Sequence, residues 1–172
     1  MSAIAGIDYD SSAIDVVLID EDSGAWLGWH RYDLACGPGG ALDRARRVRD
    51  LLPSRSTWAD EVVAIGIEQP FSKITASLAP LLRVQGAILA CLPREIRVEP
   101  LPPNRKIAGH GWKALTVGKT NATKTDVARW AIANGAPADV PQDAFDAFCI
   151  ARAMRQILET EATASQPRGG AR

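Results

Sequence analysis

Residues 3–20 read Ala3-Ile4-Ala5-Gly6-Ile7-Asp8-Tyr9-Asp10-Ser11-Ser12-Ala13-Ile14-Asp15-Val16-Val17-Leu18-Ile19-Asp20. Two apolar, β-branched runs flank Asp10, Ser11 and Ser12, whose side chains bond to nearby backbone and favour turns, so the stretch predicts a β-hairpin. A second turn signal, Asp22-Ser23-Gly24, precedes Trp26-Leu27-Gly28-Trp29-His30-Arg31, which alternates as a third antiparallel strand should. After the breaker Gly37-Pro38-Gly39-Gly40, residues 41–52 place Leu42, Ala45, Val48 and Leu52 on one face and arginines on the other, an amphipathic helix. Val62–Gln69 is a continuous β-branched run, the mark of a strand covered on both sides, and Glu68 closes it with a charge.

Downstream the alternation of element types continues. Residues 75–92 predict a second helix, in which Pro80 is tolerated only near the first turn. Ile96–Pro100 predicts a short fifth strand and residues 102–109 a short helix. Thr123 with Asp126 three residues on forms a capping box, so a helix starts at Thr123 and stops near Asn134-Gly135. Residues 141–158 form a last helix with Pro141 in its first turn. The tail 159–172, rich in Thr, Ser, Gly, Pro and charge, is expected to be disordered. Three hairpin-linked strands followed by two helix-separated ones predict an α/β fold, a five-stranded mixed sheet flanked by helices on both faces, in one domain over residues 1–158.

Composition narrows the function. At 172 residues and 47% apolar content, one core can remove roughly 70% of the unfolded chain's surface from water without staples. Cys36, Cys91 and Cys149 are odd in number, far apart and without a C-x-x-C motif, which argues against a zinc site or a secreted disulfide framework and for a reducing cytoplasm. No run approaches the ~20 apolar residues of a bilayer span, and no signal peptide is expected. The net charge is zero, from 20 bases against 20 acids, but it is unevenly distributed. Residues 1–30 hold six acids and no Lys or Arg; residues 105–129 hold Arg105, Lys106, Lys113, Lys119, Lys124 and Arg129 against Asp126 alone. Such a glycine-interrupted basic stretch is either a phosphate-contacting surface or a solvated loop.

Four acids sit where core is expected. Asp8 interrupts an apolar strand, Glu68 ends another, and Asp143 and Asp146 lie three apart on one helix face. A buried carboxylate is costly unless it is paired or holds a cation, and such hard oxygen donors suit Mg²⁺ or Mn²⁺. A pair of such ions about 4 Å apart activates a water and stabilises the leaving oxygen of a phosphodiester displacement. Singly, each acid could equally close a turn or favour a helix N-terminus.

Taken in order, Gly6-Ile7-Asp8-Tyr9-Asp10, Ala64–Phe71 (AIGIEQPF), Arg83–Leu89 (RVQGAIL), the Lys124 of NATKTDV and Asp143–Ala151 (DAFDAFCIA) resemble the RuvC-like Holliday junction resolvases of the ribonuclease H superfamily. The likeness runs from about Ala3 to Met154. It implies a ribonuclease H-like sheet, a homodimer and a crossover junction endonuclease that makes paired nicks in four-way DNA with two Mg²⁺ per site, Mn²⁺ substituting. Residue by residue, Asp8, Glu68, Asp143 and Asp146 match the family's metal-binding catalytic positions and Lys124 a lysine near the scissile phosphate. Lys106, with Arg105 beside it, matches another basic position. Phe71 matches an aromatic set against junction bases, or else is core. Lys113 and Lys119 extend the DNA-binding surface. The Ala- and Arg-rich composition points to a G·C-rich bacterium or its virus.

The chain also departs from the pattern. Tyr9-Asp10 replaces the family's Pro-Gly after the first acid, so Asp10 either adds charge near the metals or faces solvent. The stretch 109–121 is longer than usual and brings Trp112, a DNA wedge, a lid or a dimer contact. Rival readings are a flap, fork or RNA–DNA hybrid nuclease on the same fold, a non-catalytic branched-DNA-binding module, and an actin-like nucleotide-binding domain. The last lacks a second phosphate-binding glycine loop, so no nucleotide cofactor is expected.

Overall fold

Asp10 closes the first hairpin: its carboxylate accepts hydrogen bonds from the Ser12 hydroxyl at 2.7 Å and the Ala13 amide at 2.9 Å. Asp20 does the same for the second turn, accepting from the Ser23 hydroxyl at 2.6 Å and its amide at 2.8 Å. These local bonds hold β1 (Ala3–Tyr9), β2 (Ala13–Asp20) and β3 (Trp26–Asp33) in a meander. A computed structural model of the chain describes residues 2–34, 40–52, 58–70, 75–103 and 111–165. Within them follow α1 (Ala41–Leu51), β4 (Val62–Glu68), α2 (Thr75–Cys91), β5 (Arg97–Leu101), α3 (Trp112–Thr116), α4 (Lys124–Ala133) and α5 (Gln142–Ser165).

The sheet order is β3-β2-β1-β4-β5. β1 pairs antiparallel with β2, and β2 with β3, whereas β4 runs parallel to both β1 and β5. The mixed sheet expected from the sequence is therefore the one observed. α5 crosses one face, burying Ile4, Val17, Ile19 and Ala64 under Ala144, Ala147, Phe148 and Ala151. Ala5, Ile7, Val16, Ile65 and Ile67 point the other way, into a second core with Val48 of α1 and Val84 and Ile88 of α2.

Two glycines set the depth of α5. Gly6 and Gly66 face each other in register on β1 and β4. A Cβ at Gly6 would collide with the Ala147 carbonyl oxygen and the Ala151 nitrogen, and one at Gly66 would stand 3.0 Å from the Ile150 carbonyl oxygen. With alanines on the helix and glycines on the strands, backbone packs nearly against backbone, so the N-terminal turns of α5 come down onto the strand ends.

Three expectations need correction. Pro80 lies at the sixth residue of α2, past the first turn rather than in it. The tail is not disordered from residue 159, because α5 continues to Ser165. Thr160, Thr163 and Ser165 each donate to the carbonyl four residues back, at 2.8 Å, and Arg97 of β5 grips Glu161 with two hydrogen bonds, one of 2.9 Å. Long-range pairing thus carries the helix through a composition that reads as coil. Trp112 is neither wedge nor lid but core, 1% exposed within the cluster under α5. The short helix expected over 102–109 falls mostly outside the described residues. Among those described, no helix is long and apolar enough to cross a membrane.

If the glycine contact sets the helix depth, Gly6→Ala should lose about 3 kcal/mol of unfolding free energy in urea. Gly28→Ala, with nothing within 4 Å of its new methyl, should stay within about 0.5 kcal/mol of the parent.

Candidate active site

Two residues beyond the Gly6/Gly66 rung, Asp8, next to last in β1, and Glu68, last in β4, lie on the face that α5 covers. Pro141 precedes α5, and Asp143 and Asp146 occupy its opening turns, one helical turn apart on the side facing the strand ends. Thr123 caps α4, its hydroxyl accepting from the Asp126 amide at 3.2 Å, while Asp126 accepts from the Thr123 amide at 3.1 Å. Lys124 is the first residue of that helix. These elements enclose a cavity of about 230 Å³ lined by Asp8, Tyr9, Asp10, Ala13, Asp15, Glu68, Lys124, Asp143 and Asp146.

The cavity is electrostatically unbalanced. Burial, then the neighbouring charge of Glu68 and a hydrogen bond to its carboxylate, hold the Asp8 carboxyl well above the usual range, with Asp146 and Asp143 adding to the effect. Burial likewise pushes Asp146 to about 6, helped by Glu68 and opposed by the Gln142 amide and by Lys113 and Lys124. The Tyr9 phenol is driven upward by burial and by the same two acids, Glu68 and Asp8. Among the described residues, no Lys or Arg forms an ion pair with Asp8, Glu68 or Asp146.

Three of the four acids are nonetheless held by a neutral or cationic donor. Trp112 Nε1 donates to Glu68 Oε1 at 3.3 Å, and the Gln85 amide reaches the Glu68 carbonyl at 3.3 Å. Gln142 Nε2 donates to Asp146 Oδ1 at 2.9 Å, and Arg31 Nη1 to Asp143 Oδ2 at 3.4 Å. Among the described residues, no group of three or more His, Cys, Asp or Glu side chains stands as a ready-made metal cage. Burial and the neighbouring charge of Glu68 instead raise the Asp8 carboxyl. The donor set is the test of fit: carboxylate oxygens gathered on one cavity with little countercharge among them suit a hard divalent cation.

Of the residues singled out from the sequence, Asp8, Glu68, Asp143, Asp146 and Lys124 come together on this cavity. Lys113 and Lys119 do not line it. Lys113 Nζ lies over the Trp112 ring, 5.2 Å from its centroid, and Lys119 pairs with Asp126 at 3.5 Å. Phe71, Arg105 and Lys106 lie outside the described residues. Asp10 lines the cavity rim while closing its turn. The six N-terminal acids do not gather on one side: Asp20 works in the second turn, and the backbone carbonyls of Glu21 and Asp22 are taken by Arg155.

Sequence reasoning missed Asp15, Arg31, the role of Trp112 and Gln142. Asp15 pairs with Asp8 across the hairpin, and the signal was present: with Ser11 and Ser12 as a two-residue turn, the partner of Asp8 is Asp15. Arg31 and Trp112 left no such mark, since a strand arginine and a loop tryptophan are ordinary.

The sheet order and helix placement are those of the ribonuclease H-like fold. More particularly, the fold is similar to that of RuvC. The structure of Thermus thermophilus RuvC in complex with Holliday junction substrate superposes with a TM-score of 0.70 at 17% identity, covering 95% of this chain and 97% of that one. Another Thermus thermophilus RuvC structure gives 0.67 at 18% identity, covering 94% and 96%. No protein-family model matches the sequence, and no curated protein does.

Protons bound by Asp8 and Asp146 in the folded state are released on unfolding, so cation-free stability from these groups is full below the ordinary 3.8 and falls as pH rises through about 6 for Asp146. Asp8→Asn and Asp146→Asn should therefore melt a few degrees above the parent near neutral pH in a chelator, by about 1 to 2 kcal/mol of relieved repulsion. That advantage should vanish towards pH 3.8 when melting is followed by circular dichroism.

Proposed function

We propose that this protein is a divalent-cation-dependent endonuclease that cuts branched DNA, four-way junctions above all, by paired phosphodiester nicks. The single observation that carries the reading is the cavity itself: four carboxylates on three elements, with a lysine on the rim. A structural cluster of acids would be neutralised by neighbouring bases, whereas this one has an uncompensated charge and an opening to solvent.

Asp8, Glu68, Asp143 and Asp146 would hold two Mg²⁺, or Mn²⁺ in their place. Bound there, the ions supply Lewis acidity at the phosphoryl oxygen and a water acidified enough to attack at neutral pH. Trp112 and Gln142 each hold one carboxylate oxygen, of Glu68 and Asp146, and so fix how these two acids are presented to an incoming ion. Lys124 sits where the free amides and dipole of a capped helix start favour anions, which suits the scissile phosphate. Lys113 and Lys119 continue the cationic surface, and Phe71, Arg105 and Lys106 are proposed to extend it towards the junction centre.

That a RuvC of this fold was captured with a Holliday junction substrate supports branched DNA as the substrate class. A homodimer would present paired sites. Leu82 and Leu89, 49% and 39% exposed and two turns apart on α2, supply an apolar stripe for it.

Two measurements test the reading. On a panel of four-way, three-way, flap, linear and RNA–DNA hybrid substrates in Mg²⁺, the four-way junction should be nicked fastest and in symmetric pairs. Asp8→Asn should lower that rate by about a thousandfold and Lys124→Met by about a hundredfold. Equal cutting of linear duplex, or an undiminished Asp8→Asn, would overturn it. In sedimentation at micromolar concentration the chain should run as a dimer and Leu82→Glu as a monomer.

A further inference from the structure

Asp15 is a buried acid of the cavity wall that has a basic partner. Its side chain is 2% exposed, faces the same side of the sheet as Asp8, and has both oxygens occupied. Trp29 Nε1 donates to Oδ1 at 2.8 Å, and Arg31 Nη1 lies 3.1 Å from Oδ2 and 3.3 Å from Oδ1. The same Nη1 is 3.4 Å from Asp143 Oδ2, and Arg31 Nε reaches Asp33 Oδ1 at 3.3 Å. One guanidinium thus bridges a buried carboxylate of β2 to a half-exposed carboxylate of α5 that opens the cavity.

We infer that Asp15 and Arg31 are a positioning pair that sets how strongly Asp143, and through it the cavity, holds a divalent cation, neither of the two being a ligand. The inference rests on the reading that the cavity binds such a cation. Asp15 cannot serve as a ligand while both its oxygens accept from Trp29 and Arg31. Arg31 is divided: Nε turns to Asp33, while Nη1 lies nearest Asp15 and steadies Asp143 through a longer, weaker bond. Asp15 therefore decides how much of the guanidinium charge Asp143 feels.

The consequence is a pair of opposite shifts. Asp15→Asn keeps the acceptor for Trp29 but removes the charge that occupies Arg31, so the guanidinium closes on Asp143 and competes with the incoming cation. Arg31→Gln keeps a donor for Asp15 but leaves its carboxylate unneutralised beside the cavity, which adds attraction for the cation and frees Asp143. Changing both residues restores the original balance of charge. A role confined to packing would move both single variants in the same direction and would not be repaired by combining them.

The experiment is Mn²⁺ titration of the DNA-free protein, with the free ion followed by electron paramagnetic resonance. The expected result is affinity lowered roughly tenfold in Asp15→Asn, raised roughly fivefold in Arg31→Gln, and within about twofold of the parent in the double variant. If Arg31→Gln does not fold, Asp15→Asn and the double variant decide, since the first must weaken binding and the second must recover it. Parent protein that binds Mn²⁺ while Asp15→Asn leaves affinity unchanged, or while both single variants shift together, overturns the inference and leaves the proposed function standing. Parent protein that binds no Mn²⁺ overturns both.

Discussion

The approach of α5 to the Gly6/Gly66 rung is the contact on which the rest of the molecule depends. The sheet has to present no side chain at this rung, and the helix has to present alanines, for the two backbones to come within reach of each other. The same contact joins the first half of the chain to the last, since β1 and α5 lie at opposite ends of the sequence. Once it forms, Asp8, Glu68, Asp143 and Asp146 are neighbours by geometry, and their mutual repulsion is borne by the packing beneath them. An apolar core carrying α5 from Ala144 to Met154 supplies that support.

Stability and function pull against each other at this point. Burial of Asp8 and Asp146 without basic partners works against folding, and the raised affinity of both for protons records that opposition. A protein that only needed to fold would have kept these positions apolar. The donors around the cavity are chosen so as not to neutralise it: an indole holds Glu68 and an amide holds Asp146. Among the described residues, positive charge enters at the rim with Lys124, from farther off with Lys113, and through Arg31, which lies nearest Asp15.

The balanced net charge also takes on a meaning. The acids of residues 1–30 divide between the cavity, reached by Asp8 and Asp15, and the turns closed by Asp10 and Asp20. The basic stretch divides as well, with Lys119 paired to Asp126 while Lys124 turns to the cavity. A zero sum therefore coexists with a localised acidic hollow that Lys124 borders.

What could be read in the sequence is what short-range chemistry controls. Alternating and continuous apolar runs fixed the strands, their order suggested the mixed sheet, Thr123 and Asp126 announced the start of α4, and charges inside apolar runs marked Asp8 and Glu68. What only the tertiary structure decided involves partners far apart in the chain. Arg31 meets Asp143 across 112 residues, Trp112 meets Glu68 across 44, and Arg97 sustains the end of α5 across 64. No local periodicity encodes such meetings. They follow from strand register and from how deeply a helix can settle on a sheet, and here two hydrogen atoms in place of two side chains, at Gly6 and Gly66, set that depth.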